Sequence, residues 1–283
     1  MKIIAVDIGG TSIKSGLFTD GVLGHKRNTP NDGKLGAALL LQTTHGIIES
    51  YGSCNGIAIS TAGQVDTATG TIRYANENIP QYTGTNLRQI FGDAYGVPVA
   101  VENDVNAAAL GEFAFGAAKG HPDFLCLTYG TGVGGAIVLD GKIFRGIAGS
   151  AGEFGHIITH GKQGGFYEKY ASTSALIGSV SLFRPDLTDG REIMKQLTDP
   201  RIKSAFDAWV DEVLFGLAGL IHIFNPGLIV LGGGIMDNHE ITDAIRCRLP
   251  DYIMPSYADV SVVPAQLGND AGLYGAYHVY NNL

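Results

Sequence analysis

The chain is 283 residues long, 45% hydrophobic and 16% charged, with a formal net charge of −8 from 19 basic and 27 acidic side chains. That is enough chain for one large or two ordinary globular domains with a substantial core. The acidic balance, with no run of basic residues, argues against nucleic acid and anionic membranes as partners. It leaves ATP open, because backbone dipoles and a metal ion hold that ligand.

Met1-Lys2 leads straight into an apolar run that Asp7 interrupts, so no signal-peptide core is expected. The longest apolar stretch, residues 213–224, contains Gly216, Gly219 and His222 and is too short to span a bilayer. Cys54, Cys126 and Cys247 are isolated, odd in number and form no CxxC pair. A reduced, cytoplasmic protein is the expectation.

In chain order, strands are predicted over 2–6, 12–18 and 22–29, joined by hairpins, then a helix from about 32 to 51. A strand over 56–60 precedes a small hairpin turn at Asp66–Gly70. A short helix over 85–95 ends at Gly96, and the next strand covers 97–101. Three hairpin-linked strands followed by helix–strand–helix–strand predict a mixed sheet. A helix over 103–115 leads to a second copy of the hairpins at 123–144, then a polar Gly-rich segment at 146–165. Amphipathic periodicity over 202–224, a buried strand at 228–231 and a closing helix at 269–280 complete the reading. Without a low-complexity linker, the two halves are expected to hinge about shared helices.

The duplication is the strongest signal. Asp7-Ile8-Gly9-Gly10-Thr11 and Tyr129-Gly130-Thr131-Gly132 are glycine-rich turns at equivalent places in two strand-turn-strand units. The Gly-Thr pairs (positions 10 and 130) and the closing Asp-Gly pairs (positions 20 and 140) share one spacing. Turns free of side-chain bulk and rich in N–H groups suit two half-molecules gripping one polyphosphate. Thr11 adds a hydroxyl and Lys14 a charge, while Asp7 is a candidate Mg²⁺ ligand, directly or through water. The plainer reading of either turn is an ordinary tight hairpin. Gly130 to Gly135 also matches a dinucleotide-binding string, but β-like residues 136–139 follow where that motif requires a helix.

Asp104 follows a strand at the boundary between the halves, where a carboxylate can accept a hydroxyl proton during attack on a γ-phosphate. Capping its helix is the alternative. Leu231-Gly232-Gly233-Gly234 ends a buried strand, either against a nucleoside or as a simple strand-to-helix turn. Glu153, His156 and Glu168 lie on the Gly-rich insertion and just after it, suited to hydrogen-bonding sugar hydroxyls or to a solvated loop. Nothing in the sequence distinguishes His160.

Together these residues resemble the ROK family (repressors, open reading frames and sugar kinases). Its fold is the α/β actin/hexokinase-like ATPase fold, duplicated ribonuclease H-like domains with a cleft between them. The resemblance rests on DIGGTSIK at 7–14, STAGQVD at 60–66, ENDVNAAALGE at 102–112, LTYGTGVGG at 127–135, GEFGH at 152–156 and LGGG at 231–234. It implies that Asp104 is the catalytic base and that Asn103, Glu153, His156, Glu168 and the backbone at Gly63 contact the sugar. It further implies that Asp7, Gly9, Gly10, Thr11, Lys14, Gly130, Thr131 and Gly132 hold ATP phosphates with Mg²⁺. Gly233 and Gly234 would lie near the adenosine. A homodimer is implied, with lobes at 1–117 (joined by the closing helix, 269–283) and 118–268.

One departure stands out. Many relatives carry a Cys-rich zinc motif between the GH histidine and the later glutamate, whereas residues 157–167 here contain no cysteine. No zinc site is expected, and the rigidity of this loop is left open. Residues 79–85 resemble zinc-less N-acetylmannosamine kinases, while 124–135 and 152–155 are also similar to β-glucoside kinases. His156 favours a free hexose or N-acetylhexosamine as substrate. The rival class is a sugar-responsive transcription factor, but those carry a helix-turn-helix before the first glycine turn, and only six residues precede Asp7.

Overall fold

The computed structural model describes all 283 residues, apart from the side chains of Lys162 and Gln163. The chain divides into two compact units, residues 1–115, 145–150 and 270–283 in the first and 116–144 and 151–269 in the second.

In the first unit, β1 (Lys2–Ile8), β2 (Ser12–Thr19), β3 (Val22–Pro30), β4 (Gly56–Thr61) and β7 (Val99–Asn103) form one sheet in the order β3-β2-β1-β4-β7. The hairpin pairs are antiparallel, and β4 joins β1 and β7 in parallel. Apolar residues occupy both parities of β1, so both sheet faces are covered. Ile4, Val6 and Ile8 pack with Leu40 and Ile48 of α1 (Ala37–Glu49) and Phe91 of α2 (Leu87–Tyr95). Ile3 and Ala5 pack with Phe18 and with Leu273, Ala276 and Tyr277 of α10 (Ala271–Tyr280). A separate hairpin, β5 (Gln64–Asp66) and β6 (Thr71–Tyr74), turns at the predicted Asp66–Gly70 segment.

The first helix is shorter than its sequence pattern predicts. Asp32 caps only a single 3-10 turn at Gly33–Leu35, and Gly36, at φ 93°, breaks it from α1. On the opposite face, α3 (Asp104–Phe115) lies backbone to backbone against α10. A Cβ on Gly275 would stand 1.6 Å from the Ala107 carbonyl, so only glycine permits this crossing.

The second unit repeats the plan: β8 (Phe124–Tyr129), β9 (Val133–Leu139), β10 (Lys142–Ile143), β11 (Leu228–Gly232) and β12 (Ser261–Pro264) run in the order β10-β9-β8-β11-β12. Between β10 and β11 come α4 (Gly161–Gly164), α5 (Glu168–Ala171), α6 (Thr173–Ser181), α7 (Gly190–Met194) and α8 (Pro200–Phe224), and α9 (His239–Arg248) follows β11. Helix α8 starts where Asp199 accepts from the Arg201 N–H with Pro200 at its first position, and it ends at left-handed Asn225. Its apolar face, including Val213 and Leu217, packs with Leu125 and Leu127 of β8. The Trp209 indole N–H donates to the Ala171 and Ser172 carbonyls at 2.9 and 3.0 Å, pinning the end of α5. No helix among the described residues is long and apolar enough to cross a membrane.

Candidate active site

The first glycine turn closes on itself: the Gly9 N–H donates to the Ser12 carbonyl at 3.0 Å, and the Gly33 N–H to the Gly10 carbonyl at 2.7 Å. Parallel register sets Asp7, Ser60 and Glu102 in one row across β1, β4 and β7. The Ser60 hydroxyl donates to Asp7 Oδ1 at 2.6 Å, and Lys14 Nζ lies 3.2 Å from Oδ2. A Cβ on Gly272 of α10 would come within 2.8 Å of that carboxylate, so the helix leaves room for Asp7 only because it carries glycine there.

Asp104 opens α3 directly after β7. Asn103 Oδ1 accepts from the Val105 and Asn106 N–H groups, both at 3.0 Å, and so serves as the helix cap. The Asn103 amide donates to the Gly63 carbonyl at 2.9 Å and to Asp104 Oδ1 at 2.8 Å. Val105 N–H also reaches Asp104 Oδ1, at 3.0 Å. Burial, followed by the negative charge of Asp7, pushes the Asp104 carboxyl up from 3.8 to about 7, against the pull of these donors. The structure thus gathers Asp7, Lys14, Gly63, Asn103 and Asp104 on the first unit.

In the second unit the turn is held from α6: the Thr173 hydroxyl donates to the Tyr129 carbonyl at 3.0 Å, and the Ser174 N–H to the Gly130 carbonyl at 3.3 Å. Glu168 Oε2 accepts from the Val133 N–H at 3.3 Å, and a Cβ on Gly132 would stand 2.4 Å from that oxygen. Gly155 approaches the same carboxylate. Glu168 therefore touches both the second glycine turn and the GEFGH segment. Glu153 and His156 are exposed and face each other at 3.8 Å, with the His156 ring 5.0 Å from that of Phe166. Gly233, at φ 103°, packs on Tyr129: a Cβ there would lie 2.1 Å from the Tyr129 carbonyl oxygen, which brings the LGGG strand end beside the turn.

The cysteine-free interval, within which the side chains of Lys162 and Gln163 lie outside the described residues, is closed by other means. Ile158 and Phe166 form an antiparallel bridge, and the Tyr167 N–H donates to the Ile157 carbonyl at 2.7 Å. His160 stacks on Tyr170 at 4.0 Å and pairs with Glu212 of α8 at 3.2 Å. Sequence reasoning gave His160 no role; its partner lies a long way along the chain, where no local pattern reaches. Ser60, Glu102 and Arg145 were likewise not singled out, although Ser60 and Glu102 fall within quoted motifs.

Among the described residues no three His, Cys, Asp or Glu side chains cluster to hold a metal. The donor set fits Mg²⁺ nonetheless, since that ion keeps most of its waters and needs only one or two carboxylates plus substrate phosphates. Asp7, with both oxygens already orienting on Ser60 and Lys14, suits attachment through water.

Two sheets of matching strand order, each with a glycine-rich turn between its central antiparallel strands, define the actin/hexokinase-like fold. Residues 3–282 match the ROK family, and the chain belongs to it. It is 32% identical to a β-glucoside kinase of Klebsiella pneumoniae over 100% of this chain and 97% of that one. A ROK glucokinase from Streptomyces griseus, solved with glucose and AMPPNP, superposes with a TM-score of 0.88 at 31% identity, covering 100% of both chains. A Listeria monocytogenes protein provisionally described as an N-acetylmannosamine kinase gives 0.89 at 29% identity, covering 100% and 99%.

Proposed function

We propose that the protein is an ATP- and Mg²⁺-dependent sugar kinase that phosphorylates the 6-hydroxyl of a hexose or N-acetylhexosamine. Glucose and N-acetylmannosamine are the first candidates, and a β-glucoside is the alternative. The observation that carries this reading is the placement of Asp104, half-buried at the start of α3 and held through Oδ1 by Asn103 and the Val105 N–H, where burial and Asp7 raise its carboxyl to about 7. A base poised near the operating pH combines the ionised form with a useful proton affinity.

Both hydrogen bonds from Asn103 and Val105 fall on Oδ1, which keeps Oδ2 for the substrate. Oδ2 accepts the proton of the 6-hydroxyl while its oxygen bonds to the γ-phosphorus. The bond from that phosphorus to the β–γ bridging oxygen breaks, and ADP leaves. Asp7 would hold Mg²⁺ through water, and the ion when bound neutralises phosphate charge. Glu153, His156 and Glu168 orient the ring by hydrogen bonds to its hydroxyls. Glycine at positions 10 and 130 supports the role of both turns, because a Cβ at either would meet nothing within 4 Å. Protein packing does not demand glycine there, whereas close approach of phosphate oxygens does.

The test is ADP release from ATP with glucose, N-acetylmannosamine, N-acetylglucosamine, mannose and cellobiose, repeated with Asp104→Ala. Sugar-dependent release that falls about 10²–10⁴-fold in the variant is expected; release that survives in Asp104→Ala removes the assigned base.

A further inference from the structure

Glu102 is fully buried, in a row of the sheet that it shares with Ser60 and Asp7, and directly precedes Asn103. A carboxylate so placed requires a partner. It finds one in Arg145, whose guanidinium donates to both oxygens, at 3.0 Å to Oε1 and 2.5 Å to Oε2. Oε1 also accepts from the Asn103 backbone N–H at 2.9 Å and from the Asn106 amide at 3.4 Å. One carboxylate thus ties together the end of β7, the first turn of α3 and the guanidinium.

Arg145 stands at the head of residues 145–150, which belong to the first unit although the chain on either side belongs to the second. A second arginine holds the same segment: Arg73 donates to the Ala148 carbonyl at 3.2 Å and to Asp66 at 3.1 Å. The segment runs directly into Gly152–His156.

We infer that Arg145 is a positioning residue for Asp104, acting through Glu102 and the Asn103 backbone; this rests on the kinase reading above. The planar fork fits a carboxylate at two points and so fixes its orientation as well as its charge. With Glu102 held, Asn103 is held at its N–H, and its side chain in turn fixes Asp104 Oδ1. The guanidinium also cancels a negative charge two residues from the base. The other groups bearing on Asp104 are the Asp7 carboxylate on β1, which Lys14 of β2 faces, and the Tyr82 phenol.

The test compares Arg145→Lys, Arg145→Met and the double variant Glu102→Gln/Arg145→Met with the wild type in full steady-state kinetics. For Arg145→Met, kcat should fall by about 10²-fold, as a displacement of about 1 Å costs, with the KM for ATP within about twofold. The acidic limb of its kcat–pH profile should move up by about one pH unit, because an unpaired carboxylate opposes ionisation nearby. Arg145→Lys should recover the limb but not the full kcat, since it keeps the charge and loses the fork. The double variant, with no unpaired buried charge, should fold and also restore the limb while kcat stays low. It carries the test if Arg145→Met is too unstable to purify.

Amide hydrogen exchange at Val105 and Asn106 gives a readout independent of turnover, and it should quicken in every variant. Variants with kcat within twofold of wild type and unchanged exchange at these amides would overturn the inference. So would a rise in sugar KM at constant kcat, which would make Arg145 a sugar ligand. If the wild type itself releases no ADP with any sugar, the kinase reading fails, while the exchange measurement still decides whether Arg145 orders the start of α3.

Discussion

Asp104→Asn should separate activity from stability in opposite directions. The native carboxyl sits at about 7 against 3.8 for an ordinary aspartate. Between those values the native state holds a proton that the unfolded chain has released, so stability falls as pH rises through this window. The loss is complete above about pH 7. A displacement of about three pH units, at about 1.4 kcal/mol each, amounts to roughly 4 kcal/mol. The carboxyl keeps some contact with solvent, which screens part of the effect, and roughly 2–4 kcal/mol is expected. Asparagine can keep the acceptor for the Asn103 and Val105 donors without ever ionising. Urea denaturation of the ligand-free proteins should therefore show no gap below about pH 4. The variant should gain progressively from pH 4 to 7 and hold a constant advantage above. Turnover should fall about 10²–10⁴-fold at every pH. A variant no more stable than wild type at pH 8 would refute the idea that Asp104 is kept ionised at a cost in stability.

Two further outcomes follow from the same geometry. In the wild type, kcat/KM should rise with pH through a limb near 7, set by Asp104 in the free enzyme, and that limb should be absent from the residual activity of Asp104→Asn; a limb near pH 4 would place the base elsewhere. Gly233→Ala puts a Cβ 2.1 Å from the Tyr129 carbonyl oxygen at a φ of 103°. It should cost roughly 1–3 kcal/mol in thermal unfolding and raise the KM for ATP while leaving that for sugar unchanged. Equal effects on both would detach Gly233 from the nucleotide.

Features encoded locally were legible. The hairpins, the Asp66–Gly70 turn, the long helix ending at Asn225-Pro226-Gly227 and both glycine turns follow from periodicity and turn chemistry within short windows. The break between Asp32 and α1 was not, because one capping residue looks the same whether a 3-10 turn or a helix follows it. The partners of buried charge were hidden more deeply. Arg145 and Glu102, or His160 and Glu212, meet only after the sheet and helices form, so neither spacing nor composition marks them. Gly272 is similar: its need for no side chain comes from Asp7, at the other end of the chain.

The repeat itself held a subtlety that only register discloses. The first hairpin pairs Ile8 with Ile13, and the second pairs Tyr129 with Val133, so the second turn is one residue tighter. Counting back one step from these turn-flanking pairs, Asp7 corresponds to Thr128 and Lys14 to Gly134. The row Lys14–Asp7–Ser60–Glu102 in the first sheet thus has Gly134–Thr128–Gly232 as its counterpart in the second. Both units keep the turn, but only the first carries charge behind it. Four polar groups across the centre of a sheet need Lys14, Ser60 and Arg145 to satisfy two carboxylates, an arrangement that packing alone does not require. Thr128 and the glycines of the second row need no such support. On the proposed reading, the two halves share a turn suited to a polyphosphate, and the first alone adds carboxylates, Asp104 for proton removal and Asp7 for the metal.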